Sequence, residues 1–150
     1  MSRLVAVAIV AALAVGAWLS WPAPTEEDRV RAVVHAIVDA AESGDVGDVL
    51  AHVSENYRTG DAGKPELRAL LTAQFLGRGP ITVLPGDVAV DIDGERAHAS
   101  FDALLAEGSR DWKEVFPVKA DGWHLEVSFA REGEDWRIVS AERSDLDGLP

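Results

Sequence analysis

His98 and Asp102 lie four residues apart in a stretch that alternates apolar and polar residues, and His124 and Glu126 lie two apart in a second such stretch. In extended chain an even spacing puts both members of a pair on one face. Antiparallel pairing of the two stretches sets Asp102 opposite or diagonal to His124, within hydrogen-bond reach. An imidazole against a carboxylate can serve as a general base or hold a metal. The same pair also stabilises an exposed polar sheet face, and the sequence supports that use better. Asp102, His124 and Glu126 are therefore an outer-face set to test, with no catalytic residue and no metal ligand assigned. His35 and His52 fall on polar helical faces, and the four histidines share no zinc-type spacing. Asp91 and Asp93 flank a hairpin turn, which accounts for them. There is no G-x-S-x-G, Walker loop or dinucleotide fingerprint, and no cofactor is expected. The chain has no cysteine, which excludes disulfides, a thiolate nucleophile, a Cys-based zinc site and a lipidated Cys anchor.

Helices must come first in the folded part. Thr25 is placed to cap a helix with Glu26, Glu27 and Asp28 in its first turn, running to about Ser43 and ended by Gly44. Val30, Val33, Val34, Ile37, Val38 and Ala41 give it one apolar face. Asp45 can cap a short second helix that buries Val46, Val49, Leu50 and Val53. Residues 54–60 read as a connector holding the only tyrosine, Tyr57. Pro65 suits the first turn of a third helix with Leu67, Leu70, Leu71 and Phe75 inward. After Pro80 the period becomes two: Val88, Val90 and Ile92, an Asp93-Gly94 turn, then Ala97, Ala99, Phe101 and Ala103. Residues 107–121 read as a long connection containing Trp112, Val115, Phe116 and Pro117, which packs onto its own sheet or else serves as a lid or a contact patch. Trp123, Leu125, Val127 and Phe129 then alternate with polar residues, and a turn leads to a last strand begun by Trp136, Ile138 and Ser140. Every inward position on this reading is apolar.

The address comes from the first residues. Leu4–Trp21 is an eighteen-residue run without charge, long enough to cross most of a hydrocarbon core about 30 Å thick. Trp18 and Trp21 at its end suit a membrane interface, and Ala23 before Pro24 makes a poor cleavage site. The run is expected to be an uncleaved anchor, with a cleaved signal as the alternative. Arg3 before it and Glu26, Glu27 and Asp28 after it favour a cytoplasmic N-terminus and an exported domain. The expected place is thus the bacterial cytoplasmic membrane, single-pass, with the domain on the periplasmic or extracellular side. Residues 1–24 form the anchor (or signal) and connector, and residues 25–150 one domain. Of 150 residues, 26 are acidic and 14 basic, a net charge of −12. That excludes nucleic acid as a partner, because phosphates would be repelled.

Three helices followed by an antiparallel meander make an α+β layout. The closing stretch Asp121-Gly122-Trp123 through Glu132-Gly133-Glu134-Asp135-Trp136-Arg137-Ile138, with the Glu42-Ser43-Gly44-Asp45 helix break, resembles the NTF2-like, cystatin-like superfamily. The resemblance covers about residues 25–145 and implies three helices packed on a curved antiparallel sheet, a cone, behind the membrane helix. Active branches of that superfamily, the ketosteroid isomerases and the SnoaL-type dehydratases, carry Tyr, Asp or His inside the cone. With only apolar inward residues such proton transfer has no agent. The leading expectation is therefore a non-enzymatic, membrane-tethered module that binds a protein partner or serves envelope assembly, alone or as a homodimer. Its layout is similar to that of bitopic type IV secretion subunits and Mce-associated membrane proteins. The alternatives are a binder of small apolar ligands between Phe75, Phe101, Leu125, Val127 and Phe129, or an isomerase or dehydratase.

Overall fold

The computed structural model describes residues 15–16, 20–78, 81–107 and 121–146. Most of Leu4–Trp21, the connection with Trp112, Val115, Phe116 and Pro117, and the last four residues lie outside them. Among the described residues no helix is long and apolar enough to cross a membrane.

Helix α1 (Glu26–Ser43) begins where its cap residues dictate. Thr25 Oγ1 accepts from the Asp28 N–H at 3.2 Å, and Asp28 Oδ2 accepts from the Thr25 N–H at 3.1 Å. It ends at Gly44, whose φ of 69° is the left-handed conformation that closes a helix. Val30 and Val34 are buried in the core. Asp45 caps α2 (Val46–Ala51), accepting from the Asp48 N–H at 2.9 Å. The connector then touches the sheet through a parallel bridge from Val53 to Ile138. It carries a two-stranded hairpin that no periodicity marks, β1 (Arg58–Thr59) with β2 (Ala62–Gly63). Helix α3 is Lys64–Arg78. Its Leu67 and Leu71 pack on the core, whereas Leu70, expected inward, is 67% exposed. The inner stripe is narrower than the periodicity suggests, because α3 covers an open end of the sheet and Leu70 faces a cleft there.

The five-stranded antiparallel sheet comprises β3 (Ile81–Pro85), β4 (Ala89–Asp93), β5 (Arg96–Glu107), β6 (Asp121–Glu132) and β7 (Asp135–Asp145). Strand β5 pairs with β6, and β6 with β7. Strands β3 and β4 both pair with the free edge of β5, so they are one edge strand interrupted at residues 86–88. Those three residues face only two on β5, a bulge, and Gly86 N–H donates to Asp102 O at 2.7 Å. Strand β3 was not expected. Flanking Pro80 and the terminal Pro85 masked a short Ile-Thr-Val-Leu strand, which tolerates Pro85 because it is an edge. The core unites Val30, Val34, Leu50, Val53, Tyr57, Phe101, Val127, Phe129, Trp136 and Ile138 between helices and sheet.

Three carboxylates at the helix starts and connector are held below their usual range. Asp28 is lowered by hydrogen bonds from Thr25, Glu55 by the hydrogen bond and charge of Lys64, and Glu66 by the backbone N–H groups of Glu66 and Gly63. A carboxylate whose folded pKa is depressed stabilises the fold above its unfolded pKa and loses that contribution as pH falls through the folded one. The wild type should therefore lose stability relative to an Asp28→Asn, Glu55→Gln, Glu66→Gln variant as pH drops below about 4.5. Thermal melts at pH 7, 5, 4 and 3 check this, the difference between the two proteins shrinking only on the acid side. Comparing the two removes the opposite trend, relief of repulsion among the excess acids, which they share.

Candidate functional site

Two places on the sheet gather groups that could do chemistry. The first is the outer face. Asp102 and His124 are direct partners in the β5–β6 register, and Asp102 Oδ1 lies 2.7 Å from His124 Nδ1. His124 Nε2 is 3.9 Å from Glu126 Oε1. The imidazole thus sits between two carboxylates, but both acids are more than half exposed and the ring is 29% exposed. Glu126 also stands opposite Glu142 across β6–β7, a like-charge pair. Among the described residues no group of three or more acidic, His or Cys side chains is arranged to hold a metal ion. His98 pairs in register with Asp91 and Ser128, one stripe away from this set. His35 is exposed, while His52 is half-buried at the end of α2, its carbonyl accepting from Ile138 N–H at 2.9 Å.

The second place is a cleft of about 960 Å³ between α3 and the end of the sheet. One wall is aliphatic: Leu70 and Leu71 from α3, Ile81 from β3 and Leu105 from β5. The opposite wall comes from Trp123 on β6 and Ala141, Glu142 and Arg143 on β7. Tyr57 and Thr59 add hydroxyls. The two hydroxyl oxygens are 2.9 Å apart, and Thr59 Oγ1 accepts from Ala141 N–H at 3.2 Å. That bond fastens the small hairpin to β7.

Several of these residues escaped the sequence reading. Tyr57, although it lies in the connector, is only 6% exposed and belongs to the core. Arg143 lies toward the end of the last strand. A bulge at Val139 shifts the β6–β7 register, so Phe129 faces Ile138 but Val127 faces Ala141 and Leu125 faces Arg143. Ser140, expected beside Trp136 and Ile138, pairs instead with Ser128 on the outer face, and Arg143 takes the inner one. The inner face is therefore not wholly apolar. The guanidinium lies 4.5 Å over the Trp123 ring. Of the five ligand residues named from sequence, Phe101, Val127 and Phe129 are buried in the core, while Leu125 and Phe75 are half-buried.

No protein-family model and no curated protein matches the chain. Solved structures do. A protein described as a proposed dehydratase of the NTF2-like family from Streptomyces avermitilis aligns with a TM-score of 0.67 at 16% identity, over 81% of this chain and 96% of that one. An NTF2-like protein with a cystatin-like fold from Novosphingobium aromaticivorans aligns at 0.61 and 20% identity, over 81% and 82%. Bd1075 of Bdellovibrio bacteriovorus aligns at 0.67 and 9% identity over 78% of this chain, which spans 40% of the length of Bd1075. At these identities the likeness is one of architecture, and it establishes that the chain has the NTF2-like, cystatin-like fold.

Proposed function

We propose that this chain is an exported binding module, tied to the bacterial cytoplasmic membrane through Leu4–Trp21, that holds a small amphipathic molecule between α3 and the sheet without transforming it. The cleft carries this reading. Its volume of about 960 Å³ is that of a small-molecule site, and it joins an aliphatic wall to a few polar groups. Phe101, Val127 and Phe129 close the core beneath, and Leu125 and Phe75, half-buried, are not among the residues that line the cleft. Among the described lining residues there is no imidazole, and the carboxylate of Asp121 stands exposed at the rim. Those placements support binding rather than the proton transfer that a dehydratase needs.

The test is ligand-induced stabilisation of the full chain in lipid nanodiscs. A ligand present at 100 times its Kd raises unfolding free energy by about 2.7 kcal/mol. A panel of amphipathic acids, alcohols and amines should contain members that raise the melting temperature, and Leu71→Trp, which fills the cleft, should cancel the rise. A flat response across the panel counts against the reading. A reporter that is active only outside the cytoplasm, fused after Pro150, checks export. Docking of a protein partner is a second reading, favoured by Leu70 and Leu76 on α3, which are 67% and 85% exposed.

A further inference from the structure

We propose that the cleft takes a water-borne organic monoanion, a single carboxylate on an apolar body, with Arg143 receiving the charge; this rests on the binding reading above. Arg143 differs from several arginines near the other end of the sheet. Arg31 pairs with Asp28, Arg131 with Glu26, and Arg137 with Glu132 and Asp135. Among the described residues Arg143 has no carboxylate at ion-pair distance, in a chain with 26 acidic residues against 14 basic ones. Among the described residues its contact is the face of Trp123, which holds the guanidinium plane. A guanidinium edge matches a carboxylate with two parallel hydrogen bonds. The β7 bulge at Val139 is what turns this residue to the cleft side.

The neighbouring charges narrow the class. Asp121 also lines the cleft, so a second negative charge on the ligand meets repulsion. One charge is matched by Arg143, whereas a phosphate dianion is not. Leu70, Leu71, Ile81 and Leu105 then receive the apolar body.

The source of the ligand follows from where the cleft sits. The N-terminus of α1, where the chain arrives from Leu4–Trp21, is fastened to the opposite end of the sheet: Trp136 Nε1 donates to Glu26 Oε2 at 2.7 Å. Trp136 faces Arg131 on β6, eight residues along the strand from Trp123, a distance of about 26 Å. The cleft is thus remote from the tethered end, where a ligand arrives from water more readily than from the bilayer.

The experiment uses the full chain in phosphatidylcholine nanodiscs and isothermal titration with 1-naphthoate, 1-naphthalenemethanol and 1-naphthyl phosphate. Naphthoate should bind at least tenfold tighter than the alcohol and tighter than the phosphate. Arg143→Met should abolish the preference over the alcohol while leaving alcohol binding intact, and Arg143→Lys should restore part of it. Equal affinity for acid and alcohol in the wild type, or an unchanged preference in Arg143→Met, overturns the role of Arg143 but leaves the binding module standing. Binding of none of the three, with a flat melting panel, removes the binding module itself. Decanoate added in water should compete with naphthoate, and oleate held in the nanodisc bilayer should not; the reverse pattern overturns the water-borne source.

Discussion

Replacing Phe129 by Ala should lower the unfolding free energy by about 3–5 kcal/mol, the cost of emptying a fully enclosed aromatic site. Phe129 is 1% exposed and stands mid-sheet on β6, between Ala97 on β5 and Ile138 on β7. The small inner residues of β5 (Ala97, Ala99 and Ala103) leave its ring and the Val30 side chain of α1 to fill the space between layers. None of those alanines can extend into a cavity left at residue 129, so collapse around the loss is limited. A domain of this size is stable by only about 5–15 kcal/mol in all, so the variant keeps a fraction of its margin. Urea denaturation checks the value. The midpoint should fall with the slope unchanged, since the surface exposed on unfolding is nearly the same. Phe129→Leu should cost less than half as much. A loss below about 1 kcal/mol for the alanine variant would mean that helices and sheet do not share one core here.

That core was legible in the amino-acid order because both of its periodicities are clean. Thr25 with Asp28, Gly44 and Asp45 mark helix ends through side-chain and backbone chemistry that acts within a few residues. Alternation from Ala97 to Ala103 and from Trp123 to Phe129 runs unbroken, so both faces of β5 and β6 follow from counting, and with them the Asp102–His124 pair. What counting misses is any insertion that resets the count. The extra residue at Val139 is chemically ordinary, and its effect, moving Arg143 to the inner face and Ser140 to the outer, depends on pairing with β6. The interruption at residues 86–88 likewise hid β3, since nothing local says that two short runs share one edge. Tyr57 was opaque for another reason: a residue in a connector is buried by what packs over it, here the β7 contact made through Thr59. The groups of greatest chemical interest in the cleft thus come from irregular places, where period carries no information.

The second large effect is expected at the opposite end of the sheet. Trp136→Ala should destabilise by about 3–5 kcal/mol, because it removes a core aromatic that is 3% exposed. Part of that loss belongs to one polar contact. The indole N–H reaches the Glu26 carboxylate at 2.7 Å, and Arg131 and Arg29 flank the same carboxylate at 3.6 and 3.5 Å. A hydrogen bond to a charged partner is worth about 1.5–3 kcal/mol when shielded. Glu26 is one-third exposed, so a double-mutant cycle of Trp136→Phe with Glu26→Gln should return a coupling of about 1–2 kcal/mol. The contact joins β7 to the first turn of α1, within the span of the Thr25–Asp28 capping box. Trp136→Phe should therefore also raise amide exchange in residues 29–31 without touching the far end of the sheet. A coupling below about 0.3 kcal/mol would show that the cap alone holds the start of the helix. In that case the point where the chain meets its N-terminal segment would move independently of the sheet, and the separation between that end and the cleft would no longer be set by β6.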